Sequence, residues 1–393
     1  MTDTARVHGL NNDWVKPDWP FLTVQELDGL LHYFPDATGA ERILTYSPRP
    51  FSAASVVSTP RGPVFVKRHH ESVRNREELT EEHNFLRYLR EHSTLVPTVL
   101  ADDNGETVVQ HDQWVYEVHT AAEGLDLYEQ DLSWTPFRSV AHARTAGRAL
   151  AQLHLAAAGY NAPPRKTKTL VASFSIFAVN DPWPLLEHYV AQRPDLSAYL
   201  EKRNWRAETE ATLLPYHSRL RPWLGSLPPL WTHNDFHASN LFWSSDSDDA
   251  EVRSIIDFGL ADRTNAIHDL AIAIERNGIR WLALDGDFAE VVHLDQILAL
   301  LDGYAEVRAL TSAEAHALSA ILPLAHAEFA LSETDYFLRI LKSTPRAPFA
   351  WDGYFLGHAK WFGSANGNRL LSHLDEWANG ITVPEQQVED VHP

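Results

Sequence analysis

The chain contains no cysteine among its 393 residues. Disulfide bonds, thiolate metal sites and cysteine nucleophiles are therefore excluded. Basic residues are also few, with 33 Lys and Arg against 53 Asp and Glu and a net charge of −20 at pH 7. Proteins that bind nucleic acid usually carry a basic patch, and the sequence has no run of Lys and Arg of that kind. We therefore expect no nucleic-acid partner.

Long apolar runs are absent as well. None approaches the roughly 20 residues that a membrane-spanning helix needs, and the first residues lack the basic and then apolar segments of a signal peptide. We expect a cytoplasmic protein without a membrane partner, whose oligomeric state the sequence leaves open. Apolar residues make up 44% of the chain, which provides for a hydrophobic core.

The length suits two lobes rather than one small core. Residues 1–20 are polar and are predicted to be an N-terminal extension, followed by a small mixed lobe over residues 21–118. Residues 119–383 are predicted to form a larger, mainly helical lobe, and residues 384–393 a frayed tail. The predicted class is α+β.

The small lobe shows the order β, β, α, β, β after an opening helix. Thr23 and Glu26 have the spacing of a capping box before an apolar stripe. The segments "SAASVVS" and "PVFVKRH" flank a turn and predict a hairpin, and "REELTEEHNFLRYLREH" predicts a helix. Two further β-rich runs are predicted around the turn Asp103-Asn104-Gly105.

A lysine and a glutamate in this lobe stand out. In "VFVKR", Val64 and Val66 share one face of the strand, and Phe65 and Lys67 share the other. Glu82 lies inside the apolar stripe of the predicted helix, where an unpaired carboxylate is costly. We expect Glu82 to pair with Lys67 and to hold the ammonium group near nucleotide phosphates. The alternatives are a lysine that extends to water and Glu78 as its partner.

The turn before the hairpin, "SPRPFSAAS", has to cover those phosphates and contains no glycine. Its small residues, beginning with Ser52, allow backbone N–H groups to approach an anion. An ordinary β-turn is the alternative.

The segment "THNDFHASN" carries His233, Asp235, His237 and Asn240. A zinc site would need four ligands, and the sequence has no further dense cluster of His and Asp to complete them. The 21 histidines also make chance pairs common. A serine hydrolase lacks a G-x-S-x-G elbow. In a phosphotransferase, an aspartate accepts the proton of the attacking hydroxyl group, and an asparagine five residues later binds Mg²⁺.

The phosphotransferase interpretation demands a second Mg²⁺ ligand at the end of a following strand. Asp257 in "VRSIIDFGLAD" meets that demand, because Val252, Ile255 and Ile256 predict a buried strand before it. Gly259 is expected to permit the turn that exposes the carboxylate. Mg²⁺ prefers such oxygen ligands, together with water and phosphate.

The two motifs "HNDFHASNLFW" and "IIDFGLADRTNAIHDLA" together resemble those of the aminoglycoside phosphotransferase and choline kinase superfamily. The similarity extends from about Leu22 to Trp281. The resemblance implies a protein-kinase-like bilobal fold, ATP and Mg²⁺ as cofactors, and transfer of a phosphoryl group to a hydroxyl of a small molecule.

The resemblance also implies a role for each motif residue. Asp235 is the catalytic base or the anchor of the substrate hydroxyl, and Asn240 and Asp257 bind Mg²⁺. His233 supports the loop, and Asp269 anchors it through backbone N–H groups.

For the nucleotide, the resemblance implies that Lys67 contacts the phosphates and that Glu82 holds Lys67. The strand end at Glu117 and Val118 provides backbone hydrogen bonds to adenine. His154 is placed beneath the catalytic loop, with an ordinary core histidine as the alternative. His237 is expected to be structural, and Asn234 replaces the glycine that is commonest in the motif.

A protein kinase places a long activation segment after its D-F-G motif. Only about ten residues separate Gly259 from the helix that begins in "HDLAIAI", which favours a small substrate. A protein Ser/Thr kinase of similar layout and a non-catalytic nucleotide-binding scaffold stay open as alternatives, although Lys67, Asp235 and Asp257 are all present.

Acidic and aromatic residues in the later helices are candidates for the acceptor pocket: Glu275, Trp281, Glu328 and Asp335. Such a pocket suits an amino sugar, an aminoglycoside or a related hydroxylated amine. Solvated helix faces are the alternative.

Overall fold

The computed structural model describes residues 7–8, 14–15, 17–47, 51–93, 95–129, 131 and 133–381. The predicted tail and most of the predicted extension lie outside the described residues. Within the extension, β1 (Val7–His8) pairs antiparallel with β2 (Trp14–Val15).

The opening helix α1 (Val24–Leu31) begins where the sequence predicts it. Thr23 Oγ1 accepts a hydrogen bond from the backbone N–H of Glu26 at 3.2 Å, which caps the first turn. The apolar stripe of α1 packs in one hydrophobic cluster with Val57, Val64 and Val66 of the sheet.

The small lobe is built on a five-stranded antiparallel sheet of order β3-β4-β5-β7-β6. Its strands are β3 (Arg42–Tyr46), β4 (Ala53–Thr59), β5 (Gly62–His70), β6 (Val108–His111) and β7 (Trp114–Thr120). The predicted β4–β5 hairpin is confirmed. Strand β7 runs on to Thr120 and so crosses the predicted lobe boundary at residue 118. The boundary itself stays a prediction.

The turn predicted at Asp103-Asn104-Gly105 forms, with the N–H of Gly105 donating to the carbonyl of Asp102 at 3.0 Å, but it does not join two strands. Both β6 and β7 follow Gly105, and the turn between them falls at Asp112, whose φ is 51°. Between α2 and Asp103, the described residues form only an isolated bridge, which joins Val99 to His119, so the strand predicted there is wrong.

Helix α2 (Arg76–His92) carries a capping box between Asn75 and Glu78. Its buried face is apolar except for Glu82 and His83, both almost fully inaccessible to solvent. The prediction that Glu82 faces the core is confirmed.

The large lobe is mainly helical. Its helices are α3 (Val140–Ala157), α4 (Trp183–Ala191), α5 (Pro194–Leu200), α6 (Trp205–Thr212), α7 (Leu214–Leu220), α8 (Ala266–Gly278), α9 (Phe288–Val291), α10 (Leu294–Val307), α11 (Ser312–Ile321), α12 (Ala327–Asp335), α13 (Gly357–Phe362) and α14 (Ala365–Gly380). Short 3₁₀ turns cover Arg221–Ser226, Ala238–Asn240, Phe258–Leu260, Leu322–Leu324 and Thr344–Arg346, and π-helical turns cover Tyr336–Ile340 and Phe349–Leu356. No helix in the described part of the chain is both long and apolar enough to cross a membrane.

Helix α8 lies at the centre of this lobe, and all of its residues are buried. Helices α3 and α10 cross so closely that a Cβ atom on Gly147 would lie 2.0 Å from the carbonyl oxygen of Leu300. This contact is possible only with glycine, because 2.0 Å is far inside van der Waals distance.

Two small antiparallel ribbons carry the segments that the motifs predict to be functional. Strand β8 (Pro229–Thr232) pairs with β11 (Asp262–Asn265), and β9 (Leu241–Trp243) pairs with β10 (Val252–Ile255). The loop of residues 233–240 joins β8 to β9, and the turn of residues 256–261 joins β10 to β11. Pairing of the flanking strands therefore holds the loop and the turn side by side.

Candidate active site

The loop of residues 233–240, here called the catalytic loop, is anchored from below by Asp269 on α8. The two carboxylate oxygens of Asp269 accept the backbone N–H groups of His233 at 2.8 Å and Asn234 at 2.7 Å. His154 donates to Asp269 from Nε2 at 3.0 Å, and its Nδ1 lies 2.7 Å from the hydroxyl of Tyr304. The structure thus places His154 beneath the loop, as expected.

Asn234 has a left-handed backbone with φ of 61°. Asparagine tolerates this conformation better than most residues, which explains its presence where glycine is commonest. Its side-chain oxygen accepts from the hydroxyl of Thr232 at 2.8 Å, and its Nδ2 donates to the carbonyl of Leu260 at 3.3 Å. Asn234 therefore also joins the catalytic loop to the turn after Asp257.

His233 braces the loop in the same way. Its Nε2 donates to the carbonyl of Ile256 at 2.9 Å, and its Nδ1 accepts the backbone N–H of Asp235 at 3.1 Å. Both ring nitrogens are in use, so that His233 links Asp235 to the residue before Asp257.

The carboxylate of Asp235 lies between Arg276 and His237. Arg276 Nη2 is 3.1 Å from Oδ1, and His237 Nε2 is 3.6 Å from Oδ2. Burial alone would raise the pKa of Asp235, but Arg276 and His237 outweigh burial and hold it well below its usual range. Asp235 is therefore ionised and fixed in orientation.

Asn240 and Asp257 offer oxygen atoms beside Asp235. Asn240 Nδ2 donates to the backbone carbonyl of Asp235 at 2.9 Å, an arrangement that leaves its amide oxygen for another ligand. Asp257 adopts a left-handed backbone with φ of 59°, which is strained for a residue with a Cβ atom.

The expectation about Gly259 needs a correction, because Asp257 itself makes the left-handed turn. What Gly259 provides is space. A Cβ atom there would lie 3.1 Å from Asp257 Oδ1 and 3.6 Å from Lys67 Nζ.

Lys67 reaches across from the small lobe to this turn. Its Nζ lies 2.8 Å from Asp257 Oδ1. Burial alone would lower the pKa of Lys67, but Asp257, Glu117 and Glu82 raise it above its usual value. The ammonium group is thus charged and aligned with the second predicted Mg²⁺ ligand.

The expected ion pair between Lys67 and Glu82 is not present in the structure. Glu82 instead binds Arg165, whose Nη2 lies 3.1 Å from Glu82 Oε2. Arg165 also donates to the carbonyl groups of Gly259 and Ala261. A guanidinium group reaches several acceptors at once, and Glu82 therefore acts on the turn after Asp257 rather than on Lys67.

Glu117 pairs with Lys67 across the sheet, between β7 and β5. Its buried carboxylate accepts hydrogen bonds from His69 at 2.8 Å, His83 at 3.1 Å and His119 at 2.7 Å. Burial alone would raise the pKa of Glu117, but these histidines lower it strongly.

The adenine contacts expected at Glu117 and Val118 stay a prediction, but one of the backbone groups there already has a partner. The carbonyl of Val118 accepts from Leu100 at 2.8 Å, and its side chain is fully buried. Ser52 precedes β4 and is half-buried, and residues 48–50 of its turn lie outside the described residues. The role of Ser52 stays a prediction.

The candidate acceptor residues Glu275, Trp281, Glu328 and Asp335 are all buried, with Trp281 the most exposed at 9%. The alternative that they belong to solvated helix faces is therefore wrong. Glu328 accepts backbone N–H groups from Ser175, Ile176 and Phe177, which makes it a cap for that segment rather than a free carboxylate. Asp335 pairs with Arg339 at 3.0 Å.

Glu275 and Trp281 lie nearer to the catalytic loop. Glu275 precedes Arg276 on α8, and Trp281 donates from Nε1 to the Glu275 carbonyl at 2.9 Å. His326 and His358 approach the same carboxylate. Burial lowers the pKa of His326 to about 3, so its ring is neutral at pH 7.

A zinc site at His233, Asp235 and His237 is not formed. In the described ranges, two other groups have the spacing of metal ligands: His83 with Glu117 and His119, and Glu275 with His326 and His358.

The residues missed at the sequence level are mainly the polar partners of the motifs: Arg165, Arg276, Asn277, His326 and His358. Arg74 is another, since its Nη2 donates to the carbonyl of Gly259 at 3.0 Å. A usable signal existed for α8, where Asp269, Arg276 and Asn277 recur at helical spacing among apolar residues. Asn277 accepts the backbone N–H of Ala238 at 2.8 Å and donates to the Phe236 carbonyl at 3.1 Å. No comparable periodicity marks Arg165, which lies in a loop.

Comparison with known proteins decides the family. A model of the phosphotransferase enzyme family (APH) matches residues 51–310. The chain belongs to this family. The resemblance drawn from the two motifs is confirmed, and the matched range includes Lys67, the catalytic loop, Asp257 and α8.

Curated relatives include two bacterial homoserine kinases. That of Methylocella silvestris is 30% identical over 200 residues, 51% of this chain and 54% of the relative. That of Parvibaculum lavamentivorans is 30% identical over 179 residues, 45% of this chain and 46% of the relative. The chain spans about half the length of the curated relatives it matches.

Solved structures of phosphotransferases share the fold. A microcompartment-associated aminopropanol kinase gives a TM-score of 0.58 at 19% identity, covering 88% of this chain and 100% of that chain. An amicoumacin kinase in complex with AMP-PNP, Ca²⁺ and Ami gives a TM-score of 0.52 at 16% identity, covering 90% of this chain and 92% of that chain. An aminoglycoside phosphotransferase from Alicyclobacillus acidocaldarius gives 0.51 at 15% identity, covering 92% and 98%. These similarities confirm the predicted bilobal α+β fold.

Proposed function

We propose that this phosphotransferase is an ATP- and Mg²⁺-dependent kinase that phosphorylates a hydroxyl group of a small hydroxylated amine. The observation that carries the proposal is the constellation around Asp235. An ionised and immobilised carboxylate lies beside the two oxygen ligands Asn240 and Asp257, and Lys67 is paired with the second of them.

The donor set fits a magnesium nucleotide. Asn240 and Asp257 provide the hard oxygen atoms that Mg²⁺ prefers, and Lys67 provides a cation for phosphate oxygens. When bound, Mg²⁺ would counter the negative charge of the nucleotide phosphates. The amicoumacin kinase was solved with AMP-PNP and Ca²⁺, which supports nucleotide and divalent-ion binding at this site.

Asp235 then acts on the acceptor. Its carboxylate accepts a hydrogen bond from the substrate hydroxyl and orients that oxygen for in-line attack. As the new O–P bond forms and the bond to the leaving phosphate breaks, the hydroxyl proton passes to Asp235. Arg276 and His237 hold the carboxylate in place throughout.

The substrate class rests on the relatives. Homoserine and aminopropanol both carry a hydroxyl and an amino group, as do amino sugars and aminoglycosides. The buried acidic and aromatic side chains near Arg276, including Glu275 and Trp281, are of the types that bind a protonated amine.

The decisive experiment is a screen for ATP consumption over hydroxy amino acids, amino alcohols, amino sugars and aminoglycosides, with the product identified by phosphorus NMR. Asp235→Asn is the matched variant. It should lose nearly all turnover and keep nucleotide binding within a few-fold, and unchanged turnover would contradict the role of Asp235. Phosphorylation of generic protein substrates instead would favour a protein kinase, and nucleotide binding with no acceptor would favour a scaffold.

A further inference from the structure

Three potential metal ligands meet inside the large lobe. Glu275 comes from the last turns of α8, His326 precedes α12, and His358 lies on α13. Their exposed fractions are 1%, 3% and 7%. Residues from three separate helical regions therefore converge at one buried point.

The spacing of the ligand atoms suits one small ion. Glu275 Oε1 lies 2.9 Å from His358 Nδ1, and Glu275 Oε2 lies 3.7 Å from His326 Nδ1. In a tetrahedral zinc site, with bonds of about 2.0–2.1 Å, neighbouring ligand atoms lie about 3.3 Å apart. The two observed separations, measured to different oxygens of Glu275, lie on either side of that value, and one ligand atom of each residue lies within 4.8 Å of the others.

The polar atoms of this group are in contact with one another but lack hydrogen bonds. Neither oxygen of Glu275, neither ring nitrogen of His326, nor Nδ1 of His358 makes a hydrogen bond within the described residues. The contact of 2.9 Å between Glu275 and His358 is close but lacks hydrogen-bond geometry. The nearest cation is Arg276, whose Nε is 3.7 Å from Glu275 and whose Nη2 pairs with Asp235. Buried polar atoms that lack hydrogen bonds are usually completed by a further partner, such as an ion or an ordered water.

The small lobe contains a group of the same composition that behaves differently. His83, Glu117 and His119 also have metal-ligand spacing. There, the Nε2 atoms of both histidines make hydrogen bonds to Glu117, and His83 Nδ1 makes another with Thr107 at 2.8 Å. That group satisfies its polar atoms internally and needs no ion.

Aromatic rings fix the orientation of the two histidines in the large lobe. Trp281 stacks on His358 with ring centroids 3.7 Å apart and planes inclined by 9°. Tyr354 contacts His358 at 5.2 Å and His326 at 5.4 Å between centroids. Trp281 also donates to the carbonyl of Glu275, which joins the ligands into one supported unit.

We propose that Glu275, His326 and His358 form a binding site for a divalent transition metal ion, with zinc as the expected occupant. Two imidazoles and one carboxylate suit zinc and its neighbours, whereas Mg²⁺ prefers oxygen ligands alone. Three protein ligands leave a further position for water or for a small ligand. The site is separate from the Asn240 and Asp257 pair. A zinc ion on Glu275 would take the place of the substrate amine there, so the metal proposal assigns Glu275 to the ion and leaves the amine to other residues.

The test starts from protein stripped with a chelator and then titrated with Zn²⁺ in excess Mg²⁺. We expect about one zinc per chain after gel filtration, and zinc-edge X-ray absorption showing two imidazole ligands. Co²⁺ in place of zinc should give the visible absorption of a tetrahedral or five-coordinate site. His326→Gln and His358→Gln should each weaken zinc binding by about tenfold or more.

Glu117→Gln is the matched control, because it changes the hydrogen-bonded group of the small lobe and should leave zinc binding unchanged. If a ligand variant does not fold, the cobalt spectrum and the absorption edge of the unaltered protein decide. The proposal is overturned if folded wild-type protein takes up neither metal, or if bound zinc shows no imidazole ligand. Binding that survives both histidine changes, or that Glu117→Gln removes, overturns it as well.

Discussion

Arg276 Nη2 lies 3.1 Å from Asp235 Oδ1, and this ion pair joins the last turn of α8 to the catalytic loop. The same helix holds the loop at its other end through Asp269, which accepts the backbone N–H groups of His233 and Asn234. One buried helix thus fixes both the position of the loop and the charge of its central carboxylate.

Replacing Arg276 with glutamine should therefore change the ionisation of Asp235. Loss of the guanidinium group removes the cation that contributes most to lowering the pKa of Asp235, so that pKa should rise. The acid limb of the kcat/KM profile should then move to higher pH, because Asp235 must be deprotonated to accept the hydroxyl proton. Arg276→Lys keeps the charge and should move the limb less. A uniform loss of rate with an unchanged limb would show that Arg276 only supports the fold.

Asp257→Ala should weaken binding of the magnesium nucleotide. The change removes one of the two predicted oxygen ligands and leaves Lys67 without its partner at 2.8 Å. We expect affinity for Mg·ATP to fall by about tenfold or more in isothermal titration calorimetry. Asp248→Ala, in the exposed loop between β9 and β10, is the control and should bind as the wild type does. Equal affinities in the two variants would show that Asp257 is not a ligand of the nucleotide-bound metal ion.

Glu82 should be coupled to Arg165 more strongly than to Lys67. Both Glu82 and Arg165 are buried, and removing one leaves an uncompensated charge. In double-mutant cycles of unfolding free energy, we expect a coupling of at least about 1 kcal/mol between Glu82 and Arg165. The coupling between Glu82 and Lys67 should be smaller. The reverse order would restore the pairing expected from the sequence.

The buried carboxyl group of Glu333 should make the stability of the protein depend on pH. Burial raises the pKa of Glu333 to about 8, and neither Arg276 nor Arg346 offsets that rise. Between roughly pH 5 and 8 the folded protein keeps a proton that the unfolded chain releases, so stability falls as the pH rises.

Glu333→Gln cannot release that proton. From pH 5 to pH 8, the unfolding free energy of the wild type should fall by about 3 kcal/mol more than that of this variant. Urea unfolding at the two pH values measures the difference. An identical pH dependence in the variant and the wild type would show that Glu333 is not protonated at neutral pH.

Gly147 tests the close crossing of α3 and α10. A Cβ atom at this position would meet the Leu300 carbonyl oxygen at 2.0 Å, so Gly147→Ala must push the helices apart. We expect a loss of about 1–3 kcal/mol in urea unfolding.

Gly29 on α1 is the matched control, since nothing lies within 4 Å of an added Cβ atom. Gly29→Ala should be neutral or stabilise the protein by about 0.5 kcal/mol, because alanine costs less backbone entropy in a helix. A loss of the same size in both variants would mean that the crossing is not the cause.

Local sequence patterns predicted much of this fold. Thr23 caps α1, the hairpin of β4 and β5 forms around its turn, and Glu82 faces the core of the small lobe. Each prediction rests on periodicity or capping within a few residues, and such signals act wherever the segment lies. The turn at Asp103-Asn104-Gly105 forms, but the strand predicted before it was wrong, because turn chemistry is local and the sheet decides where strand pairing begins.

The chain's family, its fold class and the linear order of Lys67, Asp235, Asn240 and Asp257 were determined by the sequence itself. These residues are marked by spacing within short motifs, and spacing does not depend on distant contacts. The partners of the charged groups were decided by the tertiary structure alone. Arg165 reaches Glu82, Arg276 reaches Asp235, and His326 and His358 reach Glu275, because folding brings together helices and loops that lie far apart along the chain. Burial then makes each of those pairings consequential, since a charge removed from water depends on the groups that the fold places beside it.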